Sequence, residues 1–381
     1  NTDSAATSEI AALVGTIDVS TLVRGVGLAT PYEPATITLY AIWKANTYTV
    51  NYVTAGGTSI TSVTATYNEA YAFGTTSRVG YTFAGFTATG LNTATAKYGD
   101  GTTWTDWSKG TTAVTADKFM NLASEQGAIV VLTAKWNANT NTEYTVKHFT
   151  ENLDGTWKEA NSVPHTGTTA STVDLASVKK TYEGFTYSRY TTNLTENALT
   201  ISADGSLVIS LYYTRNSYSV RFNANKPAGT AGSVSGLNAD INGVKYGATL
   251  ASSELATPSL VGYIFAGYNT QANGKGTVVT YESTSLTAEN GAIVDVYATW
   301  TAKQYKVIFN GNAPAGVSTV GNIPTTITAT YDEDISANEL GKATATGYTF
   351  QSWNTKANGT GDEVLATSRN LSTGADVTIY A

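Results

Sequence analysis

The stretch Val294-Asp295-Val296-Tyr297-Ala298-Thr299-Trp300 places Val294, Val296, Ala298 and Trp300 at alternate positions. A period of two puts them on one face of a strand and leaves Asp295, Tyr297 and Thr299 on the other. The pattern recurs. It reads Thr36-Ile37-Thr38-Leu39-Tyr40-Ala41-Ile42-Trp43 near the start and Val130-Val131-Leu132-Thr133-Ala134-Lys135-Trp136 further on. A diverged copy runs from Leu207 to Tyr213, and a last one reads Val377-Thr378-Ile379-Tyr380-Ala381. Internal repetition decides the architecture before any single element does. The spacing of Trp43, Trp136, Tyr213 and Trp300 is longer than the ~20–50 residues of most solenoid repeats, so each repeat is expected to hold its own core.

A second strand opens the repeats, at Tyr48-Thr49-Val50, Tyr144-Thr145-Val146, Tyr218-Ser219-Val220 and Tyr305-Lys306-Val307. A third signature lies between opening and closing strands. It reads Gly80-Tyr81-Thr82-Phe83-Ala84-Gly85-Phe86, Gly262-Tyr263-Ile264-Phe265-Ala266-Gly267-Tyr268 and Gly347-Tyr348-Thr349-Phe350-Gln351-Ser352-Trp353, with Phe185 and Tyr187 as a weaker version. Its aromatics alternate, its first Gly reads as a turn, and its second suggests a bulge. Short helices are expected at 252–256, 335–340 and 115–125, each begun by Ser or Thr near an N-cap position, and another at Ser4–Val14 with a strand at 16–24. The expected divisions are a partial repeat at 1–43, a first repeat with an insertion at 47–136, a diverged repeat at 142–214, a third at 217–300 and a fourth at 304–381.

Composition agrees with strands. Only 13% of the 381 residues are charged, against about 25% in an average chain. Twenty-four Tyr and abundant Thr favour strands, while Gly and Asn favour turns. The net charge is −7 and no basic cluster exceeds Lys179-Lys180, so nucleic acid is not an expected partner. There is no Cys, which excludes disulfides and thiolate metal sites. No apolar run approaches the ~18 residues of a membrane helix, and no signal peptide is seen at Asn1.

The Tyr-x-Val opening, the Gly-Tyr-x-Phe-x-Gly-aromatic strand and the Tyr-Ala-x-Trp ending together resemble the Listeria–Bacteroides repeat, or internalin B-repeat, over roughly 36–381. The 142–214 repeat, with Lys147-His148-Phe149 and Asp154-Gly155, is closer to mucin-binding-protein repeats. The resemblance implies a mainly β, α+β architecture: tandem small β-grasp-like domains, each a curved sheet holding one short helix, arranged as an elongated rod. It also implies a secreted or cell-surface bacterial protein acting as a stalk or filament subunit, or as an adhesin module for glycan or host protein. Phe86 and Tyr268 depart from the Trp usual in the family.

No enzyme, cofactor or metal site is expected. His148 and His165 are the only histidines and lack an HExxH or GxSxG context. Ser177-Val178-Lys179-Lys180 matches Ser-x-x-Lys without its companion motifs. Asp100-Gly101, Asp154-Gly155 and Asp204-Gly205 read as hairpin turns rather than calcium loops. Trp104, Trp107 and Trp157 stand outside the repeated pattern and are the candidate ligand contacts. Trp104 and Trp107 lie in the Tyr98–Thr115 insertion, and insertions in repeat proteins often sit on a binding face. The incomplete patterns at the two ends raise head-to-tail self-assembly by strand complementation as an expected partner interaction.

Overall fold

A computed structural model describes residues 42–381 except Ser252 and Ala337. The partial repeat at 1–43 and its expected helix and strand fall almost wholly outside the described residues. The chain divides into two compact units. The first runs to Thr142 and adds Thr168–Ala170 and Ser202–Asp204; the second holds Glu143–Gly167, Ser171–Ile201 and Gly205–Ala381.

Among the described residues the fold is mainly β, as the composition implies, and one arrangement is built four times. In the first repeat the strand order is Val63–Thr66, Thr47–Val53, Ile129–Ala138, Tyr81–Thr89. The next has Trp157–Gly167, Thr142–Glu151, Val208–Arg215, Phe185–Thr192. The third begins Ile241–Lys245, Ser217–Asn223, Ile293–Ala302, Tyr263–Asn269, and the fourth Ile327–Thr330, Gln304–Asn310, Val377–Tyr380, Trp353–Asn354. Opening and closing strands are always parallel neighbours, in registers such as Val50↔Val130, Val146↔Ile209, Val220↔Val294 and Val307↔Val377. Parallel neighbours need a crossover, and here the rest of each repeat supplies it.

Alternation sets the cores. Tyr48, Val50, Tyr144, Val146, Tyr218, Val220, Phe222, Tyr305, Val307 and Phe309 are buried from the opening strands. Each large apolar side chain contributes about 1.5–3 kcal/mol on burial. In the first three repeats the closing aromatic seals one end of the core. Trp136 meets Phe83 at 5.4 Å, Tyr213 meets Tyr187 at 5.8 Å and Trp300 meets Phe265 at 5.7 Å, all edge-on. The Trp136 and Trp300 Nε1 groups donate to the carbonyls of Thr54 and Ala224, both at 2.9 Å. The expected bulges are present, between Phe83 and Gly85 and between Phe265 and Gly267.

The helix expected in every repeat is not found. Among the described residues the one α-helix is a single turn, Leu175–Val178, capped by the Asp174 side chain on Ala176 N–H. Residues 253–256 and the described part of 335–340 are loop and turn, although Ile335 is buried. Segments this short cannot sustain a helix without strong packing, and Ser, Asn and Thr prefer turn geometry. In 115–125 the chain instead forms a strand, Lys118–Met120, ending at Asn121 with φ of 56°. That strand joins Tyr71–Ala72, Lys97–Gly99 and Trp104–Asp106 in a small extra sheet, to which the insertion contributes Trp104–Asp106 and most of Lys97–Gly99.

Candidate functional site

The most elaborate polar geometry lies at the junctions between successive repeats. Between the second and third, Gly184 is buried with φ of +75°, and its carbonyl accepts the N–H of the linker residue Asn216 at 2.9 Å. The Asn216 carbonyl accepts the N–H of Tyr246 at 2.8 Å. Tyr246 lies over Gly184 so closely that a Cβ there would fall 2.1 Å from Cδ1 of the ring. Arg215 fastens the junction, with Nη1 donating to the Tyr246 carbonyl at 2.6 Å and Nε to the Glu151 carbonyl at 3.1 Å. The Glu151 carboxylate accepts from Arg215 N–H at 2.9 Å and Lys245 Nζ at 3.0 Å. The Arg215 amide, and then Lys245, hold that carboxyl below its ordinary range.

The third and fourth repeats meet in the same way. Gly262 is buried at φ of +78°, its carbonyl accepts Lys303 N–H at 2.8 Å, and the Lys303 carbonyl accepts Tyr331 N–H at 2.9 Å. Tyr331 covers Gly262. The next residue, Asp332, takes a left-handed backbone (φ 65°) and collects side chains from both repeats. Tyr263 Oη donates to it at 2.9 Å, Thr230 Oγ1 at 2.8 Å and Asn370 Nδ2 at 2.5 Å. Burial opposes ionisation of Asp332, but these bonds, led by Asn370, outweigh it and leave the carboxyl below its ordinary range. Within the first compact unit, Gly80, Asn139 and Thr169 repeat the pattern. Asn139 N–H donates to the Gly80 carbonyl at 2.9 Å, Thr169 N–H to the Asn139 carbonyl at 2.9 Å, and Thr169 Oγ1 to the Gly80 carbonyl at 2.8 Å.

Sequence reading missed these residues, because each junction joins groups far apart in the chain. A signal existed in Tyr67-Asn68, Tyr246-Gly247 and Tyr331-Asp332: an aromatic followed by a residue that tolerates positive φ, as all three second residues show.

The three candidate tryptophans separate. Trp107 is 1% exposed, packs with Phe73 and Tyr98, and spends its Nε1 on the carbonyls of Lys109 and Thr112. It is a core residue, so the expectation of a contact surface there does not hold. The insertion folds inward and supplies core to the first repeat. Trp104 is half-buried on the outer strand of the small sheet, next to Asp106, which pairs with Lys97 at 2.5 Å. Trp157 lies on the sheet face opposite the core of the second repeat. There Trp157 meets Tyr212 at 4.9 Å, Tyr212 stacks on Phe149 at 5.2 Å, and Arg189 lies 4.0 Å over the Tyr212 ring. One residue from each of the four strands forms this row.

The remaining candidates have local roles. His148 is fully buried where the third and fourth repeats have Phe222 and Phe309. Its Nδ1 lies 3.2 Å from Tyr213 Oη and its Nε2 has no hydrogen-bond partner. Burial, then the Lys180 charge, then His165 push its pKa below the usual value. His165 stacks on Tyr144 at 5.4 Å. Ser177 Oγ donates to the Asp174 carbonyl within the helical turn. Asp100 and Asp154 turn their carboxylates onto the amides of Thr102, Thr103 and Thr156 in their own hairpins, which holds Asp100 at about 2. Among the described residues no group of three or more His, Asp or Glu could hold a metal ion, and no helix is long and apolar enough to cross a membrane.

The recurrent Gly-Tyr-x-Phe strand and the parallel opening and closing strands meet a known pattern: residues 218–298 and 305–381 match the family model of the Listeria-Bacteroides repeat domain. The third and fourth repeats are Listeria-Bacteroides repeats. Two proteins of Evansella cellulosilytica are related to the chain. One, provisionally named a membrane protein, is 25% identical over 330 residues, covering 86% of this chain and 42% of its own length. The other, provisionally named a Gly-rich membrane protein, is 30% identical over 120 residues, covering 30% of this chain and 13% of its own length. The chain therefore spans less than half of either relative. The solved Bacillus anthracis TIE protein is matched with a TM-score of 0.24 at 8% identity, over 70% of this chain and 55% of that one. Tandem Listeria-Bacteroides repeats on a chain with such relatives mark a bacterial surface repeat protein.

Proposed function

We propose that the chain is an extracellular structural spacer: a stalk segment in which the second, third and fourth repeats are locked to one another. The observation that carries this reading is the repeated junction. A flexible string of domains needs only linkers, yet here Asn216 and Lys303 each bond through amide and carbonyl to the repeats on both sides, and a ring covers a glycine at Gly184 and at Gly262. Fixing linker residues costs about 1–2 kcal/mol each in backbone entropy, so such bonding serves to hold an orientation. Short, charge-poor linkers closed in this way also deny proteases an extended segment.

The test is small-angle X-ray scattering with limited proteolysis on the intact chain and on Arg215→Ala. The wild type is expected to scatter as one extended particle and to resist cleavage at 214–217, with the variant shorter on average and cleaved there. A wild type that already behaves as freely hinged domains would sink the reading.

A second reading, adhesion, is favoured by the row of Trp157, Phe149 and Tyr212 with Arg189. Aromatic faces beside a cation suit the apolar faces and hydroxyls of sugars. A glycan array that binds the wild type and loses signal with Trp157→Ala would support it; an array with no binding would remove it.

A further inference from the structure

Asn followed by Gly occurs at Asn242, Asn273, Asn290, Asn310 and Asn358. Such a pair can modify itself. The Gly backbone nitrogen attacks Cγ of the Asn side chain, ammonia leaves, and a succinimide ring closes. Water then opens the ring at either carbonyl, giving aspartate or isoaspartate. Glycine permits the attack because no Cβ crowds its nitrogen. The reaction needs a free carboxamide and a backbone able to turn toward it.

Four of the pairs are held. Oδ1 of Asn273 accepts Lys275 N–H at 2.9 Å, that of Asn290 accepts Ser217 N–H at 3.1 Å, that of Asn310 accepts Asn312 N–H at 2.8 Å, and that of Asn358 accepts Thr360 N–H at 3.1 Å. In three of them the attacking nitrogen is tied as well. Gly274 N–H donates to the Gln271 carbonyl at 3.0 Å, Gly291 N–H to that of Ser217 at 2.7 Å, and Gly359 N–H to that of Lys356 at 3.0 Å.

Asn242 differs. It is exposed, and among the described residues its carboxamide bonds nothing. It lies in Ile241–Lys245, the edge strand of the third repeat. That strand pairs with the opening strand as Tyr218↔Val244 and Val220↔Ile241, so Asn242 and Gly243 together face the single residue Ser219. In the first and fourth repeats the matching pairs, Tyr48↔Ala65 with Val50↔Val63 and Tyr305↔Ala329 with Val307↔Ile327, run without a break. The extra residue makes a bulge in which Gly243 has φ of +69° and open space around it. A bulge on an edge strand is held by fewer ladder bonds, so Gly243 can turn toward the carboxamide without parting the sheet. The same strand ends on Lys245, which bonds Glu151 of the second repeat, and leads into Tyr246, which covers Gly184.

We propose that Asn242-Gly243 is a self-modifying site, converted with age to aspartate and isoaspartate, and that the conversion loosens the junction between the second and third repeats. Isoaspartate adds a methylene to the main chain just ahead of Lys245 and Tyr246, and either product adds a carboxylate close in sequence to Asp240. Both disturb the path of the strand that delivers the clasp. The loosening rests on the junction invoked for the spacer reading, and the two fail separately: the spacer is read from the shape of the unmodified chain, the modification from its mass.

Ageing the full 381-residue chain at neutral and mildly alkaline pH, with peptide mass mapping and an isoaspartate-specific methyltransferase, tests it alongside Asn242→Gln. That side chain is exposed, so circular dichroism should show the variant folded. Expected is conversion at Asn242 about tenfold or more ahead of the four held pairs, since each of those must first open one or two hydrogen bonds. The rate should rise with pH, because the nucleophile is the deprotonated amide. Cleavage at 214–217 should increase with conversion in the wild type and stay constant in Asn242→Gln aged alike. Conversion no faster at Asn242 than at the other pairs overturns the site, and conversion that leaves cleavage at 214–217 unchanged overturns its link to the junction.

Discussion

Gly262 lies directly beneath the ring of Tyr331, where a Cβ would fall 2.2 Å from Cε1. Gly347 has nearly the same backbone, with φ of +84° against +78°, and open space above it. The pair separates backbone strain from packing. Gly347→Ala should lower stability by about 1 kcal/mol, the cost of a left-handed non-glycine residue. Gly262→Ala should cost about 2–4 kcal/mol, because Tyr331 must also leave its site. Chemical denaturation of the two variants reads the difference; equal losses would show that the ring gives way freely.

Arg215 is the most heavily bonded cation of the junctions. Arg215→Ala should cost roughly 1–2 kcal/mol, the scale of a partly exposed charge-assisted bond. The loss should appear as faster proteolysis at the linker rather than as unfolding of either flanking repeat. Adding salt should weaken the wild-type junction toward the variant, since the Lys245–Glu151 pair is partly open to solvent.

His148 makes the second repeat sensitive to acid. Its folded pKa lies below its unfolded value of about 6.5, so the folded state prefers the neutral ring. Its contribution is therefore complete above about pH 6.5 and is lost as pH falls below that value. His148→Phe, the residue type of Phe222 and Phe309 at this position, should flatten the pH dependence between 8 and 5. It should also raise stability by about 1 kcal/mol at pH 7 by removing the unpartnered Nε2. Thermal unfolding across pH checks both; a parallel decline in wild type and variant would place the sensitivity elsewhere.

Two tryptophans that look alike in the sequence should behave oppositely. Trp107→Ala empties a core position and should cost about 3–5 kcal/mol. Trp157→Ala, on the sheet surface, should cost within about 1 kcal/mol. Denaturant midpoints of the two proteins make the comparison.

The β class was legible because Tyr, Val and Thr alternate and the alternation recurs. The family was legible for the same reason, since its signature lies within single strands. The helices were misread because a Ser followed by Glu also begins a turn, and only packing distinguishes the two. Trp107 and Trp157 were inseparable because neither belongs to a repeated pattern that would fix a face. The junctions were invisible because Gly184 and Tyr246, or Gly262 and Tyr331, become neighbours only after two repeats have folded.

The parallel pairing of opening and closing strands has one more consequence. Each repeat is entered at the start of one strand and left at the far end of its parallel neighbour. Tension along the chain therefore slides the two strands past each other. Pairs such as Val220↔Val294 and Phe222↔Val296 are then loaded together in shear, rather than parted one after another like a zipper. Rupture then requires many hydrogen bonds to fail at once, so each of the four described repeats resists stretching along its own strands.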